Sequence, residues 1–266
     1  MISAKTLLLE FHKQYRNFSF WFIIALYLVA ILLAFSNFSK LTATISGSFN
    51  NVPELDFSLK ALLQFPDVWH NVTYISSFFR IIPALLIIIS ISDEFRNRTI
   101  RLNLMNGLSR TEFVVSKFSF ATLLAVFCTI VTGTGILFIG FSNMPEASSQ
   151  SIYFKSEFLF AFFISCLAYF YYAALIAFLL KQSGTAVILL LLYGWLLEPI
   201  VSWMIPSEYR IYLPMKSVDK LIQFPFTKYL DMPTQETIVL SQIIIVLAYV
   251  LISAFLSNFL LKKTKL

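Results

Sequence analysis

The chain has 266 residues, of which 58% are hydrophobic, 17% are aromatic and 13% are charged. The charged fraction is about half that of an ordinary soluble domain, so the composition excludes a water-soluble globular protein and favours one that lies in a bilayer. The net charge of +6 is typical of a membrane protein with basic cytoplasmic loops, and we prefer that interpretation to a nucleic-acid-binding surface.

The two cysteines, Cys128 and Cys166, both fall in apolar runs, which favours packing over a disulfide or a metal site.

The amino-terminal residues 1–15 form the first recognisable element. Leu7 and Phe11 alternate with Lys5 and Lys13 at helical spacing, which predicts an amphipathic helix lying in the membrane interface. A frayed basic tail is the alternative. The apolar run that follows is longer than that of a signal peptide and lacks a small-residue cleavage site, so we expect an uncleaved amino terminus.

Six apolar runs follow one another along the chain. They cover residues 18–35, 74–92, 118–140, 158–180, 186–203 and 238–261. Each is close to the roughly 20 residues that a helix needs to cross a bilayer. An open strand would leave backbone amide groups unpaired in lipid, so all six should be helices. The prediction is an all-α membrane protein with six transmembrane helices, in which residues 1–266 form a single transmembrane domain.

The distribution of basic residues predicts the orientation. If the amino terminus is inside, twelve of the 20 lysines and arginines fall in cytosolic segments, seven fall in outer segments, and Arg80 lies within the second run. Short cytoplasmic loops carry an excess of Lys and Arg in multi-pass proteins. We therefore expect a multi-pass protein of the bacterial inner membrane with both termini in the cytosol.

Two ionisable residues fall inside apolar runs. Arg80 lies early in the second run, and Glu198, followed by Pro199, lies late in the fifth. A charge at membrane depth is costly and often marks a pair or a transport path. Two interpretations stay open: both side chains snorkel to the outer interface, or they form a salt bridge or a polar point on a substrate route.

The segment 93–117, between the second and third runs, has the most informative pattern. Its sequence is DEFRNRTIRLNLMNGLSRTEFVVSK, and it holds five of the twelve basic residues assigned to the cytosol. An apolar stretch precedes the turn signal Asn106-Gly107, after which Ser109 and Glu112 have the spacing of a helix-capping box. The pattern predicts a helix, a turn and a second helix on the cytosolic side; a basic loop that only follows the positive-inside rule is the alternative.

At these residues the sequence resembles the ABC-2 type permeases, the transmembrane subunits of ATP-binding cassette transporters. In that family the second span runs into an acidic residue, a Gly-Thr pair, an apolar stretch, a Pro-x-Ser-Arg turn and a Lys at the start of the third span. The matching positions are Glu94, Thr99, residues 102–105, Ser109, Arg110 and Lys117. Arg98 stands where the family usually has Gly, and Gly107 stands where it usually has Pro.

The resemblance implies that this segment forms a coupling helix, seated in a groove of a cytosolic ABC ATPase subunit. The residues that it assigns to ATPase coupling are Glu94, Arg98, Thr99, Arg101, Ser109, Arg110 and Lys117. Six spans form half of the pathway in this family, so a second permease copy, identical or different, is a further expected partner, with membrane lipid around both. Export is expected rather than import. We also expect Glu94 to pair with Arg110 or Arg101 and so brace the loop.

Other chemical motifs are sparse. There is no G-x-x-x-x-G-K-[ST] phosphate loop, so we expect ATP hydrolysis in the partner chain and a non-catalytic, cofactor-free permease here. His12 and His70 are predicted on opposite sides of the membrane, which excludes a two-histidine metal site. The alternative function is an ATP-independent carrier or channel, which would need broken helices and more intramembrane polar residues. A membrane enzyme would need convergent His, Asp, Glu or Ser side chains, which the sequence does not indicate.

Overall fold

The computed structural model describes residues 4–49, 61–105, 107–143, 152–225 and 238–263. Within these ranges the regular structure is helical and there are no strands. The α-helices are α1 (Ala4–Tyr15), α2 (Phe18–Phe49), α3 (Val68–Phe79), α4 (Ile81–Arg96), α5 (Thr99–Met105), α6 (Arg110–Ser142), α7 (Glu157–Leu180), α8 (Ser183–Leu192), α9 (Glu198–Met204), α10 (Pro214–Asp219) and α11 (Leu240–Lys263). Short 3₁₀ helices occupy Ala61–Leu63 and Ser207–Tyr212, and a π-helical turn occupies Tyr193–Leu197.

Six stretches of the described residues are helical, long enough and apolar enough to cross a membrane. They are Phe18–Asn37, Val68–Arg96, Arg110–Ser142, Glu157–Leu180, Ser183–Met204 and Leu240–Lys263. This confirms the predicted all-α class with six candidate spans, and it fits a multi-pass membrane protein. The second and third candidate spans begin six and eight residues before the predicted starts at 74 and 118.

The second span begins early because its first polar side chains are bonded to distant backbone groups. The Asn71 side-chain amide donates to the Leu62 carbonyl at 2.8 Å, and a His70 ring nitrogen lies 2.9 Å from the Gln223 carbonyl oxygen. Both side chains are buried. A buried polar group is tolerated when it is hydrogen-bonded, so these two residues extend the helix although they interrupt the apolar pattern.

Pro83 explains why the second span is broken into α3 and α4. A proline has no N–H to donate to the carbonyl four residues earlier, here that of Phe79, and its ring crowds that carbonyl. Accordingly α3 ends at Phe79, and α4 begins at Ile81. Arg80 therefore lies at a break near the middle of a 29-residue span, not early in the span as predicted.

Pro199 has a related effect in the fifth span. It lacks the N–H that would bond to the Trp195 carbonyl, and the widened π-helical turn Tyr193–Leu197 immediately precedes α9. Such turns relieve a local mismatch in the helical hydrogen-bond ladder. Glu198 consequently sits at the junction of two differently wound segments.

The helix α7 lies at the centre of the bundle and packs against α4, α6 and α11. In its most apolar stretch 61% of the residues are buried, compared with 17% in the fifth candidate span. Ala173, Ala174 and Ala177 are fully buried, as expected for small residues that let neighbouring helices approach closely. Cys128 and Cys166 are buried and free, which agrees with their predicted packing role.

The helix α1 occupies the predicted amphipathic segment, and its side chains are described from Glu10 onward. Glu10 and Gln14 are buried, whereas Phe11 and Tyr15 are 44% and 49% exposed. The helix thus turns polar groups into the bundle and aromatic rings outward, an arrangement suited to lipid contact. Its location in a membrane interface stays a prediction.

The bundle has two distinct ends. We call "termini end" the end that holds α1, α5, the first turns of α6 and the last turn of α11, where Arg110 donates to the carbonyls of Leu261 and Lys262 at 2.9 and 2.7 Å. We call "loop end" the opposite end, formed by residues 61–67, 152–156 and 205–225 together with the side chains of Arg80 and Glu198 that contact residues 205–225. There Lys155 and Asp67 form an ion pair at 2.8 Å.

Candidate functional site

Lys117 is the centre of a buried charge cluster at the termini end. Its side chain has no exposed surface, and its Nζ lies 2.5 Å from Glu10 Oε1 and 2.5 Å from Glu94 Oε1. The Ser90 hydroxyl is a third contact at 3.0 Å. A single ammonium therefore joins α1, α4 and α6.

Lys13 completes the cluster from its partly exposed side. Its Nζ lies 2.6 Å from Glu94 Oε1, and its side chain is 43% exposed. Glu10, Lys13, Glu94 and Lys117, which we call the termini-end cluster, thus balance two negative charges against two positive ones. A buried charge is stable only when it is paired and hydrogen-bonded, and this group meets both conditions.

The surroundings of Glu10 favour the charged form of its carboxyl group. Burial by itself raises the pKa of the Glu10 carboxyl, but the adjacent Lys117 ammonium and hydrogen bonds from Lys117 and Gln14 outweigh it, so the pKa falls below its ordinary value of 4.5. Gln14 also donates to the Ser90 hydroxyl at 2.6 Å. The polar side of α1 is therefore fixed to α4 by neutral as well as charged contacts.

The expected pairing of Glu94 with Arg110 or Arg101 is wrong. Glu94 pairs with Lys13 and Lys117, while Arg110 caps the carboxyl-terminal carbonyls of α11. Cations are favoured at the carbonyl end of a helix, which explains why Arg110 points there. A sequence signal for the true pair existed, because Lys117 lies on the same helical face as buried apolar residues and so requires a buried anion.

The turn that leads into α6 has the predicted capping box. The Ser109 hydroxyl accepts a hydrogen bond from the Glu112 N–H at 3.2 Å, and Glu112 Oε2 accepts one from the Ser109 N–H at 2.9 Å. Gly107 has a φ of 94° with open space around its Cα, so its backbone conformation alone requires glycine. Asn106, the other half of the turn signal, lies outside the described residues.

Arg98 adopts a left-handed conformation with a φ of 54°. It follows the last turn of α4, where the Asn97 N–H bonds to the Asp93 carbonyl at 2.9 Å. Glycine is favoured at such positions because it has no Cβ to clash with the backbone. Arg98 is thus a non-glycine residue in a backbone conformation that glycine adopts more readily.

The short helix α5 presents an apolar edge at the termini end. Ile100 is buried, whereas Leu102 and Met105 are 58% and 83% exposed. The Asn103 side-chain amide lies 3.5 Å from Glu94 Oε2, and the Thr99 hydroxyl lies 3.4 Å from the Glu94 carbonyl oxygen. The helix is thus attached on one side to the termini-end cluster and exposed on the other.

At the loop end, Arg80 and Glu198 do not form the salt bridge considered from the sequence. Arg80 pairs with Asp219 at 2.6 Å, donates to the Ser165 hydroxyl at 2.5 Å, and places its guanidinium 4.8 Å from the centre of the Tyr169 ring. Asp219 comes from α10, a short helix within residues 205–225. These direct contacts also contradict the interpretation in which Arg80 snorkels to the outer interface.

Glu198 binds backbone amides instead of a cation. It is 2% exposed and accepts hydrogen bonds from the N–H groups of Met215 at 3.0 Å and Lys216 at 2.5 Å. The first N–H groups of a helix lack partners within the helix. Pro214, a residue favoured at the first helical position, starts α10 and presents those groups to the carboxylate.

The chain matches no protein-family model and no curated protein. Within the described ranges, no three His, Cys, Asp or Glu side chains come close enough together to hold a metal ion.

Proposed function

We propose that this chain is the permease subunit of an ABC-2 type transporter, which forms a translocation pathway as a dimer, works in the direction of export and is driven by a separate cytosolic ATPase. The observation that carries the proposal is the helix α5. It lies between the second and third candidate spans, and its exposed residues Leu102 and Met105 give a partner protein an apolar edge to bind. Exposed apolar groups on a charged surface are typical of interaction sites.

The contacts of α5 support a role in transmitting motion. Only Asn97 and Arg98 separate α5 from α4, and Glu94 at the end of α4 contacts α1 and α6 through Lys13 and Lys117. A partner that grips α5 and changes its tilt would thus displace three other helices. Binding can drive such a change only if the two states differ in their contacts.

The exposed faces of the outer helices fit the remaining partners. Trp195 and Trp203 are 79% and 87% exposed, and the candidate span that holds them is the least buried of the six in the described residues. In a membrane, this surface would contact lipid or a second permease copy. The orientation with both termini in the cytosol of the inner membrane belongs to the same proposal.

One observation favours a second candidate, the ATP-independent carrier or channel. Such proteins place binding sites at discontinuous helices, and the second span is broken at Arg80 while the fifth has a π-helical turn at Tyr193–Leu197. The two functions differ in whether the purified protein brings an ATPase with it.

The experiment is a gentle purification of the tagged chain from its native membrane, followed by identification of bound proteins and an assay of ATP hydrolysis. The permease function predicts a co-purifying ATPase, and the double variant Leu102→Asp/Met105→Asp should lower its affinity by at least about thirty-fold, as for hot-spot residues. Tyr209→Asp is the control, since Tyr209 is 59% exposed at the loop end. A wild-type chain without an ATPase, or equal retention by all variants, would contradict the proposal.

A further inference from the structure

A cavity of about 320 Å³ lies at the loop end and has no part in the coupling role. Two irregular parts of the backbone and one short helix border it: the helix break at Arg80, the π-helical turn Tyr193–Leu197 and α10. Small-molecule sites have volumes of about 300–1,000 Å³. The cavity is therefore large enough for a ligand or for one end of a longer ligand.

Arg80 brings unused hydrogen-bond donors to this cavity. A guanidinium has five N–H donors, and within the described residues Arg80 donates only to Ser165 and Asp219. Its side chain is 11% exposed, so bulk water reaches the remaining donors poorly. Donors without acceptors are costly in a buried site, and charged oxygens satisfy them best. The site therefore favours a phosphate or carboxylate oxygen.

Asp219 supplies the opposite charge at the same place. The Asp219 side chain is 56% exposed, and only its Oδ1 oxygen accepts a hydrogen bond from Arg80. Because the pair is neutral in sum, Asp219 repels a purely anionic group and Arg80 repels a purely cationic one. A zwitterion places its negative group at Arg80 and its positive group at Asp219, which complements both charges.

The cavity walls suit an ammonium group and an apolar chain. Tyr74, Trp195 and Phe224 line the cavity, and the Tyr74 and Phe224 rings meet edge to face at 5.6 Å. Aromatic faces attract ammonium groups. Trp195 also leads onto the exposed apolar face of α8, where Leu191 and Leu192 are 37% and 45% exposed. An alkyl chain that leaves the cavity on this side meets apolar side chains.

We infer that this cavity binds a zwitterionic amphiphile, with a phosphate or carboxylate oxygen at Arg80, an ammonium group at Asp219 and an apolar chain beside Trp195. The inference goes beyond the proposed function and does not depend on it. Binding is measured on the purified chain alone, so an absent ATPase and an absent ligand are separate results.

The test compares three amphiphiles of equal chain length by native mass spectrometry of the chain in dodecyl maltoside. They are palmitoyl-lysophosphatidylethanolamine, which is zwitterionic, palmitoyl-lysophosphatidylglycerol, which is anionic, and hexadecyltrimethylammonium, which is cationic. We expect saturable binding of the zwitterion with an affinity at least about tenfold above that of the other two, as expected from one charge-assisted contact. Glycerophosphoethanolamine, which has the same zwitterionic phosphodiester head group without the acyl chain, should bind at least about tenfold more weakly, because it lacks the apolar contacts.

Four variants assign the binding to this cavity. Arg80→Ala and Asp219→Asn should each weaken zwitterion binding at least about tenfold. Trp195→Ala tests the wall without touching the core, because Trp195 is 79% exposed; it should weaken binding of the lysolipid and leave the fold intact. The control is Lys155→Ala, which removes the other ion pair of the loop end and should bind as wild type does.

Several outcomes would overturn the inference. Equal affinity for the zwitterionic and anionic lysolipids would rule out the role of Asp219. Unchanged binding in both Arg80→Ala and Trp195→Ala would place the ligand elsewhere. Equally tight binding of glycerophosphoethanolamine alone would identify a soluble zwitterion in place of a lipid.

Discussion

The two ends of the bundle both hold charged side chains away from bulk water, but they satisfy them differently. At the termini end, Lys117 is fully buried and shares its ammonium between the carboxylates of Glu10 and Glu94. At the loop end, Arg80 retains donors without acceptors in the described residues, and its partner Asp219 is 56% exposed. The first arrangement is closed by side chains of the protein, whereas the second is open to a ligand.

The difference indicates what each end is built to do. A closed set of charges fixes helices relative to one another, because moving any one of them would leave another charge buried and unpaired. An ion pair that keeps free hydrogen-bonding groups, such as Arg80 and Asp219, is held less firmly by the protein and is stabilised when a ligand binds to it. We therefore expect substitutions at the termini end to affect stability most, and substitutions at the loop end to affect binding most.

The largest expected effect comes from Lys117→Met, which keeps the length of the side chain and removes its charge. Glu10 would then have no ion-pair partner in the described residues and Glu94 would keep only Lys13, so the free energy of unfolding should fall by about 3–5 kcal/mol. Arg80→Met should cost less, about 1–3 kcal/mol, since water reaches Asp219. Unfolding in mixed micelles measures both values. Equal losses at the two ends would contradict the distinction between a closed and an open arrangement.

The next prediction concerns the double variant Glu10→Gln/Lys117→Met. Glu10→Gln alone leaves an excess positive charge in the cluster, but the double variant leaves Lys13 paired with Glu94. The double variant should therefore be more stable than the sum of the two single effects by about 1–3 kcal/mol. The same mixed-micelle assay gives the coupling energy. Additive losses would mean that Glu10 and Lys117 do not act as a pair.

Local features of the fold could be predicted from the sequence. The six candidate spans follow from apolar runs, and the capping box of Ser109 and Glu112 follows from a spacing of three residues. The buried face of α7 that is formed by the small residues Ala173, Ala174 and Ala177 also follows from helical spacing. Each of these features depends on residues within a few turns of one another, which is the range in which periodicity and capping rules apply.

Contacts between distant segments could not be predicted in the same way. Glu94 forms an ion pair with Lys13, which is 81 residues away in the sequence, and Arg80 forms one with Asp219, which is 139 residues away. Opposite charges were available at many positions, and only the packing of α1 and α10 selected among them. The early start of the second span has the same cause, because His70 and Asn71 are satisfied by carbonyls of other segments.

Glu198→Gln tests how the loop end holds α10. The substitution keeps the shape of the side chain but removes the charge that faces the N–H groups of Met215 and Lys216. Loss of one charge-assisted hydrogen bond should cost about 1–2 kcal/mol and speed proteolysis within residues 205–225. Glu208→Gln is the control, because Glu208 is exposed in the same segment. Equal proteolysis of the two variants would show that Glu198 does not hold α10.

The smallest expected effect contrasts two residues with left-handed backbones, Arg98 at the termini end and Lys155 at the loop end, with φ values of 54° and 69°. The Arg98 side chain makes no hydrogen bond or ion pair within the described residues, so Arg98→Gly relieves strain and should raise the free energy of unfolding by about 0.5–1 kcal/mol. Lys155→Gly relieves the same strain but also removes the contact with Asp67, so its net effect should be smaller or negative. Thermal unfolding of both variants measures the difference, and a gain at Lys155 as large as that at Arg98 would mean that the ion pair with Asp67 does not stabilise the loop end.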